Sequence, residues 1–442
     1  PTVGIFEDKM ASLEGGEMKK YNIETNCIHG GYRAKKGEPQ VPAIAQSTTY
    51  RYYDGADMAD LFDLKEAGFF YSRIGNPTVG IFEDKMASLE GGVAGVAAAS
   101  GSATIYSTIL NICQKGDHIV SSSSIYGGTF NQFKVTLPAQ DIEVTFIDQN
   151  NSLEELKKAI KPNTKAVFAE TLSNPGMEVL DFEKFRLLAD FAKSPLIVDN
   201  TLASPYLCRP IEHGANIVVN SATKWIDGHA TSMGGIMVDG GNFNWEEHKD
   251  KYPGLVEPNE SYHGLKFYET FGDAAFAVKY RVHILRDLGF TMAPQNAFLN
   301  IQGLDTLHLR MERHSENALK IARFLEDHPE VEWVNYPGLK SSKSYEAGQK
   351  YMPKGRGGVL TFGVKGGSKR AAQVLGNLEL ASLVTHVGDI RTSVLHPAST
   401  THRQLSEEDQ VKAGVRPEMI RLSVGCENYE DIEADFKNAL KN

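Results

Sequence analysis

Lys224 stands in the run Ser221-Ala222-Thr223-Lys224-Trp225, directly after the apolar stretch Ile217-Val218-Val219. Lysine is among the side chains least often buried. Burial lowers an ammonium pKa and releases a nucleophilic amine, the group that forms an imine with a carbonyl. The neighbouring hydroxyls of Ser221 and Thr223 can reach an anion such as phosphate. By itself the pattern also fits a surface lysine after a strand. Asp199 closes an earlier apolar run, Leu196-Ile197-Val198. A buried carboxylate needs a cationic partner, and a protonated pyridine nitrogen would be one that also turns its ring into an electron sink. On spacing alone, a cap for the next helix is the plainer reading of Asp199.

Two further clusters carry the same ambiguity. Ala99-Ser100-Gly101-Ser102-Ala103-Thr104 precedes an apolar helical stretch, 105–112. Amides at a helix start bind phosphate and glycine allows close approach, yet many strand-to-helix turns look like this. Tyr126-Gly127-Gly128-Thr129 follows Ile119-Val120. A tyrosine held among glycines can lie flat on an aromatic ring, or pack at an ordinary helix start. Neither a GxxxxGK[ST] loop nor a GxGxxG after a strand occurs, so nucleotide binding has no support. What joins the four clusters is their order along one predicted sheet.

The elements that must position them alternate. Candidate strands are Ile119-Val120, Val144-Thr145-Phe146-Ile147, Ala166-Val167-Phe168-Ala169, Leu196-Ile197-Val198, Ile217-Val218-Val219 and Gly235-Ile236-Met237-Val238. Amphipathic stretches such as 153–160 and 182–191 lie between them. This rhythm predicts an α/β fold, a mostly parallel sheet with helices on both faces and a site beyond the carboxyl ends of its strands. We expect the large domain to span 76–293. A smaller α+β C-terminal domain, 294–442, is expected to hold one long helix at 304–325, strands at 357–364 and 419–424, and a closing helix at 429–440. Residues 18–75 read as an extended arm that packs on a partner subunit or wraps its own domain. Residues 1–16 repeat 77–92 letter for letter. An identical single copy is unlike a diverged repeat, so 1–17 is read as an artificial duplication and set aside.

Bulk properties narrow the function classes. The 442 residues carry a net charge of -10, which gives no basic field for nucleic acid or an anionic membrane. No apolar run approaches a membrane span and no signal peptide is evident. Cys27, Cys113, Cys208 and Cys426 are far apart, with no CxxC and no histidine pattern, so we expect reduced buried thiols, no metal and a cytoplasmic protein.

Several blocks make the pattern specific. The run Val219-Asn220-Ser221-Ala222-Thr223-Lys224 resembles the lysine motif of the Cys/Met-metabolism (transsulfuration) family of pyridoxal-phosphate enzymes. Tyr71-Ser72-Arg73-Ile74-Gly75-Asn76-Pro77-Thr78, Glu170-Thr171-Leu172-Ser173-Asn174-Pro175 and His396-Pro397-Ala398-Ser399 resemble other blocks of that family, from residue 22 onward. The resemblance implies a fold type I (aspartate-aminotransferase-like) enzyme with pyridoxal 5'-phosphate as cofactor. It makes Lys224 the Schiff-base lysine and assigns the pyridine nitrogen to Asp199. Gly101, Ser102, Ser221 and Thr223 would hold the phosphate, and Tyr126 would stack on the ring and assist a proton transfer. Asn174 would serve both cofactor and substrate. Tyr71 and Arg73 would reach the phosphate of a neighbouring subunit, implying a homodimer at least and a homotetramer by expectation. Arg421, with Thr392, would bind the substrate, its guanidinium gripping the carboxylate; the plain alternative for Arg421 is a salt bridge.

Within the family, Gly388-Asp389-Ile390-Arg391-Thr392-Ser393 occupies the place where the cystathionine enzymes carry a glutamate, so Arg391 disfavours cystathionine. The segment 242–272, with Ala275-Phe276-Ala277, Leu285-Arg286-Asp287-Leu288-Gly289 and 397–402, resembles the O-acetylhomoserine sulfhydrylase branch. The implied reaction converts O-acetyl-L-homoserine and sulfide to L-homocysteine and acetate in methionine biosynthesis. Another thiol or a protein sulfur carrier is also compatible as donor. The rivals are a γ-lyase acting on methionine or cystathionine, an O-succinylhomoserine γ-synthase, and a catalytically silent cofactor-binding protein.

Overall fold

The computed structural model describes residues 21–401, 403, 410 and 414–441. The duplicated segment 1–17 lies outside them. Seven strands form the first sheet: β1 (Ala94–Ala98), β2 (His118–Ser122), β3 (Glu143–Ile147), β4 (Thr164–Glu170), β5 (Leu196–Asp199), β6 (Ile217–Ser221) and β7 (Gly235–Asp239). Their order is β1-β7-β6-β5-β4-β2-β3, and β7 alone runs against its neighbours.

Alternation along the strands divides the core. Val167, Ala169, Val198, Val218, Ile236 and Val238 join one apolar cluster, while Ala166, Phe168, Ile197, Ile217, Val219 and Met237 join another. Successive strand residues face opposite sides, so the sheet is buried on both. The first cluster receives Phe82 and Met86 of α1 (Pro77–Glu90); the second receives Ile105 and Ile109 of α2 (Gly101–Leu110). A short helix, α3 (Gly127–Asn131), follows β2, and α4 (Phe182–Ala192) packs Phe182 and Phe185 into the first cluster. Helix α1 is well delimited: the Asn76 side chain accepts from the amides of Thr78 and Val79, Pro77 opens the first turn, and Gly91 ends it at φ 79.

β1 lies outside the strands expected from sequence, because Ala94-Gly95-Val96-Ala97-Ala98 has a single β-branched residue, Val96, among small ones. The small residues let α1 come close: a Cβ on Gly95 would sit 2.7 Å from the Glu83 carbonyl oxygen. The 242–272 segment covers the second face, where Trp245 stacks on Phe276 with centroids 5.6 Å apart.

A second sheet holds β8 (Val331–Asn335), β9 (Val359–Val364), β10 (Ser382–Leu383), β11 (Ser393–Leu395) and β12 (Met419–Ser423), in the order β10-β11-β12-β9-β8. Sequence patterning anticipated β9 and β12 and missed the short or half-exposed others. The long helix expected at 304–325 is α6 (Leu307–Glu326); a further helix that was not expected, α5 (Pro294–Asp305), precedes it, and the two are broken at Thr306. Arg310 stabilises the break: its Nη2 donates to the Gly303 carbonyl at 2.6 Å and its Nε to Thr306 Oγ1 at 3.2 Å. Helix α5 packs Ala297, Ile301 and Leu304 into the first core, whereas the far half of α6 packs Ala318, Ile321 and Leu325 on the second sheet. The closing helix, α7 (Tyr429–Lys441), covers that sheet with Ile432 and Phe436. Ahead of α1, the described arm has two short helices, Ile23–His29 and Gly55–Phe62. It buries Cys27 but exposes Val41, Tyr53 and Phe62.

Among the described residues, no helix is long and apolar enough to cross a membrane, and no group of His, Cys, Asp or Glu could hold a metal ion. The four cysteines are free, and burial pushes the thiols of Cys27 and Cys426 up to about 11.

Candidate active site

β1, β2, β4, β5 and β6 point the same way, so their carboxyl ends share one edge of the sheet. On that edge lie the Ser100-Gly101 turn, Tyr126, Glu170, Asp199 and Ser221. A Cβ on Gly101 would sit 2.6 Å from the Ser221 Cβ. Glycine therefore lets the first turn of α2 close on the end of β6. Ser100 caps that turn, accepting from the Ala103 amide at 3.2 Å, and Ser102 beside it is exposed. Thr223 is tied to the start of β7: its hydroxyl donates to the Gly234 carbonyl at 3.2 Å and accepts from the Gly234 amide at 3.1 Å.

Asp199 is buried, and burial lifts its carboxyl to about 6, with hydrogen bonds from Thr201 opposing the rise. Its Oδ1 accepts from the Thr201 amide at 2.9 Å, and Thr201 Oγ1 accepts from the Ser221 amide at 2.8 Å. Thr201 thus laces the ends of β5 and β6 together. Glu170, paired in register with Asp199, is held still further above the carboxylate range by burial and by the Asp199 charge. It accepts from the Tyr126 amide at 2.7 Å and from the Asn174 amide. One side chain therefore fixes the bases of two expected site residues. Tyr126 itself is half-exposed, and a Cβ on Gly128 would collide with its ring. Next to Asp199 in sequence, the Asn200 side-chain Nδ2 donates to Glu90 Oε1 at 3.0 Å, and the Asn220 side-chain Nδ2 donates to the same oxygen at 2.7 Å.

Lys224 follows this edge, and burial, assisted by the Arg421 charge, lowers its amine to about 8. Its Nζ lies 3.4 Å from Nδ1 of His386. The backbone after it is pinned, because Arg310 Nη1 donates to the Trp225 carbonyl at 2.8 Å. Arg421 projects from the middle of β12, paired in register with Thr361 and Leu395. Burial lowers its guanidinium to about 10, and its nearest polar partner is Asn174 Oδ1 at 3.5 Å, the long limit of a hydrogen bond.

The structure thus places Gly101, Ser221, Thr223, Lys224, Asp199, Tyr126 and Asn174 around one strand edge, with Arg421 reaching it from the second sheet. Thr392 is buried beside that sheet. Its hydroxyl donates to Glu427 Oε2 at 2.8 Å and accepts from the Gly425 amide at 2.9 Å. Arg391 is exposed, its Nε 3.0 Å from Asp389 Oδ1, and its Nη2 donates to the His229 carbonyl at 2.9 Å. Tyr71 and Arg73 are exposed, with the guanidinium 5.2 Å from the Tyr71 ring centroid. Glu170, Thr201, Arg310 and His386 were not singled out from sequence. Glu170 stood inside a quoted block, but only the strand register shows which backbone amides it meets.

These groups fit pyridoxal 5'-phosphate. A buried carboxylate with no ion pair among the described residues suits a pyridinium. A cradle that a Cβ at Gly101 would fill suits a phosphate, and an amine lowered toward neutrality suits an aldehyde.

Comparisons with known proteins agree. The family model described as Cys/Met metabolism PLP-dependent enzyme matches residues 24–441. O-acetyl-L-homoserine sulfhydrylase of Leptospira meyeri is 46% identical, with 98% of this chain and 100% of that protein aligned. Homocysteine synthase of Schizosaccharomyces pombe is 45% identical over 96% of this chain and 99% of its own. A crystal structure from Campylobacter jejuni, named as an O-acetylhomoserine (thiol)-lyase and holding a pyridoxyl-lysine phosphate, superposes with a TM-score of 0.92 at 39% identity, covering 96% of this chain and 100% of that one. MetB of Corynebacterium glutamicum gives a TM-score of 0.81 at 32% identity, over 96% of this chain and 98% of that one. Fold, motif and sequence agree that the chain belongs to the Cys/Met metabolism family of PLP-dependent enzymes.

Proposed function

We propose that this chain replaces the acetoxy group of O-acetyl-L-homoserine with sulfide, yielding L-homocysteine and acetate. The observation that carries the reading is Lys224, an amine lowered to about 8 by burial and the charge of buried Arg421, just beyond the strand edge that carries buried Asp199. Names of relatives such as the Leptospira meyeri sulfhydrylase support the substrate. When bound, pyridoxal 5'-phosphate supplies an electron sink for charge developing on the substrate.

The residues divide the work. Lys224 holds the cofactor covalently and, once released, takes the substrate α-proton and returns it. Asp199 holds the pyridine nitrogen, Tyr126 stacks on the ring, and Asn174 lies between cofactor and substrate. Gly101, Ser102, Ser221 and Thr223 hold the phosphate. Arg421 binds the substrate carboxylate, and Thr392 sets the wall beside it. At the γ-carbon the C–O bond to acetate breaks and a C–S bond to sulfide forms. Tyr71 and Arg73 reach a neighbouring subunit's phosphate, which makes a homodimer the smallest complete unit and supports a tetramer. Large, small and arm units divide at residues 76 and 294. Exposed Arg391, paired with the largely covered Asp389, favours a substrate without a distal ammonium.

The test is product analysis by mass spectrometry after incubation with O-acetyl-L-homoserine, with and without sulfide. Homocysteine that appears only with sulfide supports the reading. Oxobutyrate and ammonia dominating with sulfide present would overturn it in favour of an eliminating lyase.

A further inference from the structure

Lys224 has one neighbour with no duty in the scheme above. His386 lies in the turn between β10 and β11, and its Nδ1 is 3.4 Å from the Lys224 amine. Three contacts fix that turn. Gly388, at φ 89, packs so closely that a Cβ would lie 2.8 Å from both the Lys224 carbonyl carbon and the Trp225 amide nitrogen. The Gly388 amide donates to Ser423 Oγ of β12 at 3.1 Å, and the Ile390 amide donates to the Gly228 carbonyl at 3.0 Å. Rigid backbone therefore delivers the imidazole to the lysine. The other ring nitrogen, Nε2, is buried with no hydrogen-bond partner among the described residues.

The charged groups that act on the ring are the cations Lys224 and Arg421 and the carboxylates Asp389 and Asp227. Burial, with the Lys224 charge, lowers His386 to about 4, so the ring is neutral at physiological pH. A neutral imidazole has one acceptor nitrogen and one N–H. With Nδ1 facing an ammonium, Nδ1 is the acceptor and Nε2 carries the proton.

We propose that His386 is a positioning residue for the reactive lysine: its Nδ1 accepts a hydrogen bond from the Lys224 amine and aims that amine whenever it is not bonded to the cofactor. The inference rests on Lys224 being the cofactor lysine. It adds a residue of the β10–β11 turn to the control of proton transfer by Lys224, and it leaves the Nε2–H for a group of whatever molecule enters the site.

Two measurements test it on wild type, His386→Phe and His386→Gln. The first is the pH midpoint at which cofactor-stripped protein recaptures pyridoxal phosphate, read as the absorbance of the borohydride-reducible adduct. The second is the split of steady-state kinetics into kcat and KM. Losing the acceptor destabilises the ammonium, so the midpoint in His386→Phe falls by about one unit. Its kcat falls about 100-fold as the amine loses aim, while KM stays within about twofold. Glutamine, whose carbonyl can accept in place of Nδ1, restores both toward wild type. An unchanged midpoint and kcat in His386→Phe would overturn the proposal, as would a glutamine variant no better than phenylalanine. Should the phenylalanine variant not fold, His386→Ala replaces it in the same assays. If wild type itself forms no reducible adduct at Lys224, the lysine assignment is what fails, and that outcome is separate.

Discussion

Asp199 and Arg421 occupy opposite kinds of sheet and share one defect. Asp199 ends a strand of a parallel sheet buried on both faces; Arg421 sits mid-strand between antiparallel partners. Each is buried, and neither has an ion pair among the described residues. Burial shifts Asp199 up to about 6 and Arg421 down to about 10, which places the strain of each at roughly 3 kcal/mol. A fold selected only for stability would pair them or remove them. Opposite charges left without an ion pair are suited to ligands of complementary charge, a pyridinium for one and a carboxylate for the other.

Removing the reactive amine should have the largest effect. Lys224→Ala is expected to lower turnover by at least about 10⁴-fold and to abolish the near-visible absorbance of lysine-bound cofactor. Full activity in that variant would break the whole assignment. Asp199→Asn should lower kcat by about 10²- to 10³-fold, yet make the cofactor-free protein more stable by about 1 kcal/mol in urea. A variant both slower and less stable would mean that Asp199 already has its partner. Arg421→Ala should raise KM roughly 100-fold and leave cofactor affinity unchanged, as substrate titration and cofactor absorbance would report. An unchanged KM removes Arg421 from the substrate site.

The smallest effect separates the two charges by pH. The folded pKa of Asp199 lies above its unfolded value, so folding takes up a proton there. Its stabilising share is full below about pH 4 and is lost as pH rises through about 6. Urea midpoints of cofactor-free protein should decline across that window, and more gently in Asp199→Asn. Arg421→Ala should leave the slope unaltered, since a guanidinium does not titrate there. Equal slopes in wild type and Asp199→Asn would show that Asp199 titrates normally.

The same contrast explains what could be read in advance. β2 to β7 are runs such as Ala166-Val167-Phe168-Ala169, apolar on both faces, and their ends announced Asp199 and Lys224. β1 was silent because Gly95 and its alanines are small for the sake of α1. Glu170 was visible only as part of a family block, since its meaning lies in a register that brings it beside Asp199 and below Tyr126. His386 and Arg310 left no trace, because each acts on the Lys224 turn across a long stretch of chain. Motif spacing shows what lies after a strand and not what folds back onto it. For the same reason α5 and the break at Thr306 that ends it were not anticipated, although α6 beyond the break was.

Arg310 has a consequence for movement. Its guanidinium joins the Trp225 carbonyl, the Gly303 carbonyl and the Thr306 hydroxyl, and so clamps the backbone behind Lys224 to the joint between α5 and α6. With Gly388 pressed on the Lys224–Trp225 peptide, one peptide before the carbonyl that Arg310 holds, the lysine works as a crank on a fixed bearing. Only its four methylenes swing, and the arc its nitrogen sweeps is set by torsions of the side chain instead of by motion of the loop that carries it.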